Sequence, residues 1–306
     1  MKVLKVELNN VKLRNPLLLA SGILGITPSL LKRAELNGAG GVVTKTVTKD
    51  PRRGNTNPVL VELPYGFINS MGLPNPGIDY FIKKIKEAKK ILSIPIIVSI
   101  GPSTIEEAEY ISSKLKDIQI DGIEINASCP HVKGHGLNIL SDPDLLRGII
   151  ETLRKKFKDK LILVKLSPMI QDVVKVSDII ISSGADGFVA TNTIRAIAID
   201  VWARQPILSN IYGGLSGPAL KPIAVRIVYE LYEIFPDKII IGVGGITSWQ
   251  DVIEFILAGS NAVQIGSAIA RHGFKIFQQI TENLIRYLRM EGFNTINDLR
   301  GFAHRT

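Results

Sequence analysis

Short apolar runs alternate along this chain with segments whose hydrophobic positions recur at helical spacing. The runs Pro16–Ala20, Gly41–Lys45, Ile96–Ile100, Gly122–Asn126, Leu161–Leu166, Gly187–Thr191, Ile239–Val243 and Ala262–Ile265 are nearly continuous in aliphatic residues. Strands with one wet face would alternate apolar and polar residues, so these runs predict strands covered on both faces. Between most of them lie amphipathic stretches, Glu106–Lys114, Leu145–Lys156, Val173–Ser182, Ile223–Glu233 and Trp249–Leu257, which predict helices. About eight such units in 306 residues predict an α/β fold, a (β/α)8 TIM barrel formed by residues 1–306 as a single domain. An open doubly wound sheet is the structural alternative, but no G-x-G-x-x-G opens a helix after an early strand.

Two segments break the alternation. One runs from Thr46 to Tyr80 and carries Pro58, Pro64, Pro74, Pro76 and the string Asn69-Ser70-Met71-Gly72-Leu73-Pro74-Asn75. The other runs from Thr191 to Leu220 and includes Trp202. Connections this long inside a compact domain are functional or disordered, and their apolar content argues against disorder. Both are expected as long loops over the C-terminal face, where barrels of this kind place their chemistry.

The apolar runs close on small polar groups and lysines: Ser21, Lys45, Ser99, Asn126, Lys165, then Thr191 with Asn192 and Thr193, Gly244 with Gly245, and Gly266 with Ser267. Two lysines among amides and hydroxyls at one face suit an anionic ligand, although a strand-end lysine also serves in structural ion pairs. Glycine pairs after the last two strands suit a phosphate held by backbone N–H groups, or simply tight turns. The one cysteine of the chain, Cys129, follows the fourth run in a turn with Pro130, Gly134 and Gly136. A thiol there reads equally as a reactive group on a catalytic loop or as a packed core residue.

Composition narrows the field. A net charge of +9 and a pI near 9.5 invite a nucleic-acid reading. The basic clusters at Lys83–Lys90 and Arg154–Lys160 lie in amphipathic segments, however, and read as solvated helix faces. Aromatics, at 6%, do not interleave with them, so nucleic acid is not expected and an anionic small molecule accounts for the charge as well. A single cysteine excludes an internal disulfide, a Cys-rich zinc site and a self-ligated iron–sulfur cluster. His131, His135, His272 and His304 lack metal-ligand spacing, so no metal is expected. The single cysteine suits a reducing compartment and no apolar run reaches the roughly 18 residues of a membrane span, so the expectation is a cytoplasmic protein with no membrane partner.

Three motifs together resemble the class 1 dihydroorotate dehydrogenases over nearly the whole chain. They are Leu18-Leu19-Ala20-Ser21-Gly22 with Val43-Thr44-Lys45-Thr46, the string Asn69–Asn75, and Asn126-Ala127-Ser128-Cys129-Pro130. The resemblance implies an FMN-dependent barrel that oxidises dihydroorotate to orotate in pyrimidine biosynthesis. It implies Cys129 as the base that takes the C5 proton while flavin N5 accepts the C6 hydride, and Lys165 as the cation beside flavin N1. Ser21, Lys45, Thr46, Ser99, Asn126, Thr191, Gly217, Gly244, Gly245, Gly266 and Ser267 would line FMN, the last four nearest its phosphate. Lys45, Asn69, Ser70, Met71, Gly72, Leu73, Asn126, Asn192 and Thr193 would hold the pyrimidine.

The family commonly carries Asn where this chain has His131, and the Cys-Pro-His form also resembles dihydropyrimidine dehydrogenases, whose substrate has no carboxylate. Lys45 and the Asn69–Asn75 string both suit orotate. A non-redox phosphate-binding isomerase or lyase would use the same terminal glycines and lysines. Class 1 members pass electrons to fumarate or to a partner subunit carrying FAD and an iron–sulfur cluster, and this chain resembles both branches: the string Asn69–Asn75 the first, Lys5-Val6-Glu7-Leu8 and Asn75-Pro76-Gly77 the second. A homodimer core, with such a subunit attached, is the expected assembly.

Overall fold

The computed structural model describes residues 2–127 and 137–305. Eight parallel strands close into a barrel: β1 (Leu17–Leu19), β2 (Gly41–Val43), β3 (Ile96–Ile100), β4 (Gly122–Asn126), β5 (Leu161–Lys165), β6 (Gly187–Ala190), β7 (Ile239–Val243) and β8 (Ala262–Ile265). Each pairs with its neighbours in sequence, and β8 returns to β1, with Gln264 opposite Leu18. The predicted barrel is therefore observed, and its strands begin and end within two residues of the apolar runs.

One long helix follows each strand: α1 (Pro28–Leu36), α2 (Ile78–Ile91), α3 (Ile105–Leu115), α4 (Pro143–Lys156), α5 (Val173–Ser182), α6 (Lys221–Ile234), α7 (Trp249–Leu257) and α8 (Ile276–Glu291). Their starts are fixed locally. Asp142 accepts from Leu145 N ahead of α4 with Pro143 in the first turn, and Thr104 caps α3 through Glu107 N. Ser248 and Asp251 form a reciprocal capping box on α7. The apolar stripe of each helix packs on the barrel, so that Leu146, Ile149, Ile150 and Leu153 of α4 are fully buried while its lysines face outward.

An N-terminal hairpin, Val6–Leu8 with Val11–Leu13, buries Val6, Leu8 and Leu13 and sends Asn9 Nδ2 to Asp186 at the start of β6, 3.0 Å away. It covers the end of the barrel opposite the site.

The two long insertions are not loops. Leu60–Leu63 and Gly66–Asn69 from the first pair with Ile194–Ile197 and Tyr212–Ser216 from the second in one antiparallel four-stranded sheet. Its order lays the two insertions side by side, with Asn69 opposite Gly214. Within each segment the strands are short and mostly half-exposed, so the apolar pattern on which sequence reading depends is faint. The pairing that stabilises them joins segments well over a hundred residues apart, and no local signal carries it. Among the described residues no helix is long and apolar enough to cross a membrane.

Candidate active site

The C-terminal ends of the strands surround a cavity at the barrel mouth, roofed by the four-stranded sheet. Ser21, Lys45, Thr46, Asn126, Lys165, Thr191, Asn192, Thr193, Gly244, Gly245, Gly266 and Ser267 line it from the barrel, and Asn69, Met71, Gly72, Leu73 and Gly217 line it from the insertions. Two residues named from sequence do not reach it. Ser99, fully buried, stands behind Thr46 with their hydroxyl oxygens 2.9 Å apart. Ser70 is also fully buried, and its hydroxyl finds no partner among the described residues. In an extended segment neighbouring side chains point to opposite faces, so Asn69 and Met71 face the cavity while Ser70 turns away. Cys129 and His131 lie outside the described residues.

A line of hydrogen bonds crosses the floor of this cavity. Asn192 donates Nδ2 to Asn126 Oδ1 at 3.2 Å, and Asn126 donates Nδ2 to Thr46 Oγ1 at 3.1 Å. Asn126 is thereby held at both ends of its amide, next to Lys165 in strand register. Lys45 is buried and donates to the Gly22 carbonyl at 3.1 Å.

Below Lys165 lies a polar cluster of which the sequence reading singled out only Ser21. Glu124 sits mid-strand in β4, fully buried between Ile123 and Ile125. Ser21 Oγ donates to its Oε1 at 2.8 Å, and Gln264 Nε2 donates to its Oε2 at 2.6 Å. Lys165 Nζ in turn donates to Ser21 Oγ at 3.3 Å and reaches Gln264 Oε1 at 3.5 Å. Burial pushes the Lys165 ammonium below the ordinary lysine range, and the Glu124 charge opposes that push. The available signal was a carboxylate in an otherwise apolar strand, and a glutamine in the same position of Val263-Gln264-Ile265.

The loop from Asn69 to Asn75 owes its shape to the residues beneath it. Asn75 Oδ1 accepts from Thr48 N at 3.2 Å and Gly77 N at 2.9 Å, while its Nδ2 donates to Leu73 O at 2.9 Å. Asn55 donates Nδ2 to Ser70 O at 2.8 Å and its backbone N–H to Met71 O at 3.1 Å. The segment thus presents Met71, Gly72 and Leu73 to the cavity from a braced backbone.

At the far side, Gly245 has φ +73°, and a Cβ there would stand 2.8 Å from Gly217 O and 2.7 Å from Lys221 Cβ. Only glycine permits so close a turn. The N–H groups of Gly244, Gly245, Gly266 and Ser267 have no acceptor among the described residues. Such unsatisfied donors beside a cavity suit a phosphate oxygen set, and the buried Lys165 suits an electron-rich ring, so the residues present fit FMN. Lys221, close by, is occupied by Asp251 at 2.7 Å and Glu254 at 2.6 Å. Among the described residues no group of three His, Cys, Asp or Glu could hold a metal ion.

Comparison with known proteins places the chain in a family. The sequence profile of the dihydroorotate dehydrogenase family matches residues 3–288. The dihydroorotate dehydrogenase B (NAD(+)) catalytic subunit of Pyrococcus horikoshii is 47% identical over 302 residues, covering 99% of this chain and 98% of the relative. Its counterparts in Methanocaldococcus jannaschii and Thermoplasma acidophilum are 42% identical over 305 residues and 41% over 302, each covering 99% of this chain and 98% and 99% of the relative. A match along nearly the whole barrel leads to one conclusion: the chain belongs to the dihydroorotate dehydrogenase family.

Proposed function

We propose that this protein oxidises dihydroorotate to orotate with FMN as its resident cofactor, in the de novo synthesis of pyrimidines in the cytoplasm. The observation that carries the reading is the convergence of Lys45, Asn126, Lys165, Asn192 and the loop 69–73 on a single cavity. When bound, FMN supplies the hydride acceptor for the substrate carbon. The chain has to do the rest. Gly244, Gly245, Gly266 and Ser267 hold the phosphate through backbone N–H groups, and Lys165 lends a fixed cation to the ring where negative charge collects. Lys45 pairs with the substrate carboxylate. Asn126, Asn192 and Asn69 match the alternating donors and acceptors of the pyrimidine, because an amide offers both. Cys129 takes the C5 proton from the face opposite the flavin, and the loop carrying Met71, Gly72 and Leu73 helps to exclude water.

The relatives are named as catalytic subunits of an NAD(+)-linked enzyme. That designation, with the resemblance of Lys5-Val6-Glu7-Leu8 and Asn75-Pro76-Gly77 to the NAD-linked branch, supports a homodimer core joined by a second subunit carrying FAD and an iron–sulfur cluster, which passes electrons to NAD.

The test is spectroscopic. Purified protein should show a flavin absorption spectrum that bleaches on anaerobic addition of dihydroorotate. A colourless protein that also fails to bind added FMN would point to a non-redox barrel, and bleaching by dihydrouracil but not dihydroorotate to a different pyrimidine substrate.

A further inference from the structure

We propose that Glu124 is the buried counter-charge that keeps Lys165 protonated, with Ser21 and Gln264 bridging the two. Glu124 does not line the cavity, so it is a positioning residue that acts on ligand only through Lys165. The inference concerns the cation that the flavin reading above places beside the ring, and it rests on that reading.

The geometry has a direction. Gln264 turns its Nε2 to the carboxylate and its Oε1 to the ammonium. Ser21 gives its single proton to Glu124, which leaves its lone pairs for Lys165. Both bridges therefore run from a donor cation to an acceptor anion. Turning the Gln264 amide over would set N–H against N–H and oxygen against oxygen. A buried carboxylate with no partner is expensive, and here each oxygen of Glu124 has a donor.

Among the described residues no other charge competes for the role. The strands flanking β5 bring Asn126 and Glu124 from β4 and only apolar residues from β6. Across the barrel, β1, β7 and β8 supply no ionisable group within their strands. Asp186, at the start of β6, is paired with Arg154 at the opposite end of the barrel, 2.6 Å away. Lys45 at the end of β2 is the other charge lining the cavity among the described residues, and being a cation it is no counter-charge for Lys165. Burial disfavours the charge on Lys165, and Glu124 is the group that opposes it.

Glu124→Gln keeps the shape and removes the charge. In protein labelled with ¹⁵N-lysine, the Nζ resonance missing from Lys165→Met reports Lys165, with or without flavin. Its titration midpoint should fall by about one unit or more in Glu124→Gln. In the FMN-loaded protein the flavin midpoint potential should then cross that of the wild type. It should lie above at mildly acid pH, where Lys165 is charged and unopposed, and below at alkaline pH, where Lys165 has lost its proton. The alkaline shift corresponds to on the order of a tenfold loss in preference for reduced over oxidised flavin. The double variant Glu124→Gln with Lys165→Met should lose the crossing. Should Glu124→Gln fail to fold, Ser21→Ala removes one bridge and should move the Lys165 midpoint in the same sense by less.

An unchanged Lys165 midpoint, or a potential above wild type at every pH, would overturn the proposal. A merely structural role would lower stability without any pH-dependent crossing, and that result also counts against it. Failure of the wild-type protein to bind flavin would defeat the cofactor reading alone, since the Lys165 titration still decides this one.

Discussion

Asn192 and Asn126 are joined by a 3.2 Å hydrogen bond that spans from the end of β6 to the end of β4, over the intervening β5. The bond fixes which end of the Asn126 amide faces which neighbour, because its Nδ2 is committed to Thr46. A substrate that lies over this line meets an amide whose orientation is already set, so no ordering cost falls on binding. Asn126→Ala should lower kcat/KM for dihydroorotate roughly 5- to 150-fold, the equivalent of about 1–3 kcal/mol for partners left unsatisfied. Steady-state kinetics measure this directly. A change within about twofold would remove Asn126 from substrate binding.

Cys129→Ala should leave FMN bound while slowing flavin reduction by dihydroorotate on the order of 10²–10⁴-fold, the range for loss of a general base. Stopped-flow bleaching of the flavin gives the rate without interference from later electron transfer. In the unaltered protein that rate should rise with pH toward the ordinary thiol range, about 8.5, because only the thiolate accepts a proton. Cys129→Ser should keep a trace of activity that is greatest at high pH. Full activity in Cys129→Ala would assign the base elsewhere.

What could be read from the sequence, and what could not, divides along physical lines. The eight barrel strands were legible because burial on both faces writes itself as an unbroken aliphatic run, and Val173–Ser182 and Trp249–Leu257 were legible to the residue as helices. The cavity residues were legible where they end such runs, as Lys165 and Asn126 do. The four-stranded roof was not, since Leu60–Leu63 and Ile194–Ile197 are half-exposed and gain their order from distant partners. Ser70 and Ser99 do not line the cavity, because resemblance supplies residue types but not the face they point to. Glu124 was passed over for the converse reason: its importance lies in contacts with Ser21 and Gln264, from strands far away in sequence.

Asp251 ties the glycine turn of the site to the start of α7. Its carboxylate takes Lys221 on one oxygen, and Thr247 N at 2.8 Å and Ser248 N at 2.9 Å on the other. Burial pushes its pKa upward, but Lys221 and these N–H and O–H donors outweigh it, so that the group lies below the usual aspartate range. A carboxylate depressed in the folded state adds stability that is present above its unfolded value and lost as pH falls through the folded one. Asp251→Asn should therefore be less stable than the unaltered protein at neutral pH, by about 1–2 kcal/mol as for loss of a cap. The difference should close under acid conditions. Thermal melts across the acid range provide the check, and a gap that widens on acidification would contradict the sign.

The route taken by electrons after the flavin is open to a direct test. The chain has a single cysteine and so cannot ligate a four-thiolate cluster. Electrons leaving a flavin at the barrel mouth must pass either to a diffusing acceptor or to a redox centre docked beside it. The relatives' designation as catalytic subunits of an NAD(+)-linked enzyme favours the docked centre. Purification from the native source should then yield a dimer of 33.5 kDa chains bound, in equal ratio, to a Cys-rich flavoprotein. NAD should be reduced by dihydroorotate only when both chains are present, while the isolated chain should reduce an artificial dye. Rapid turnover of the isolated chain with fumarate, with no second protein in the native preparation, would instead identify a self-sufficient enzyme, because a flavin held at this mouth would then be exchanging electrons with a small molecule at the same opening that admits dihydroorotate.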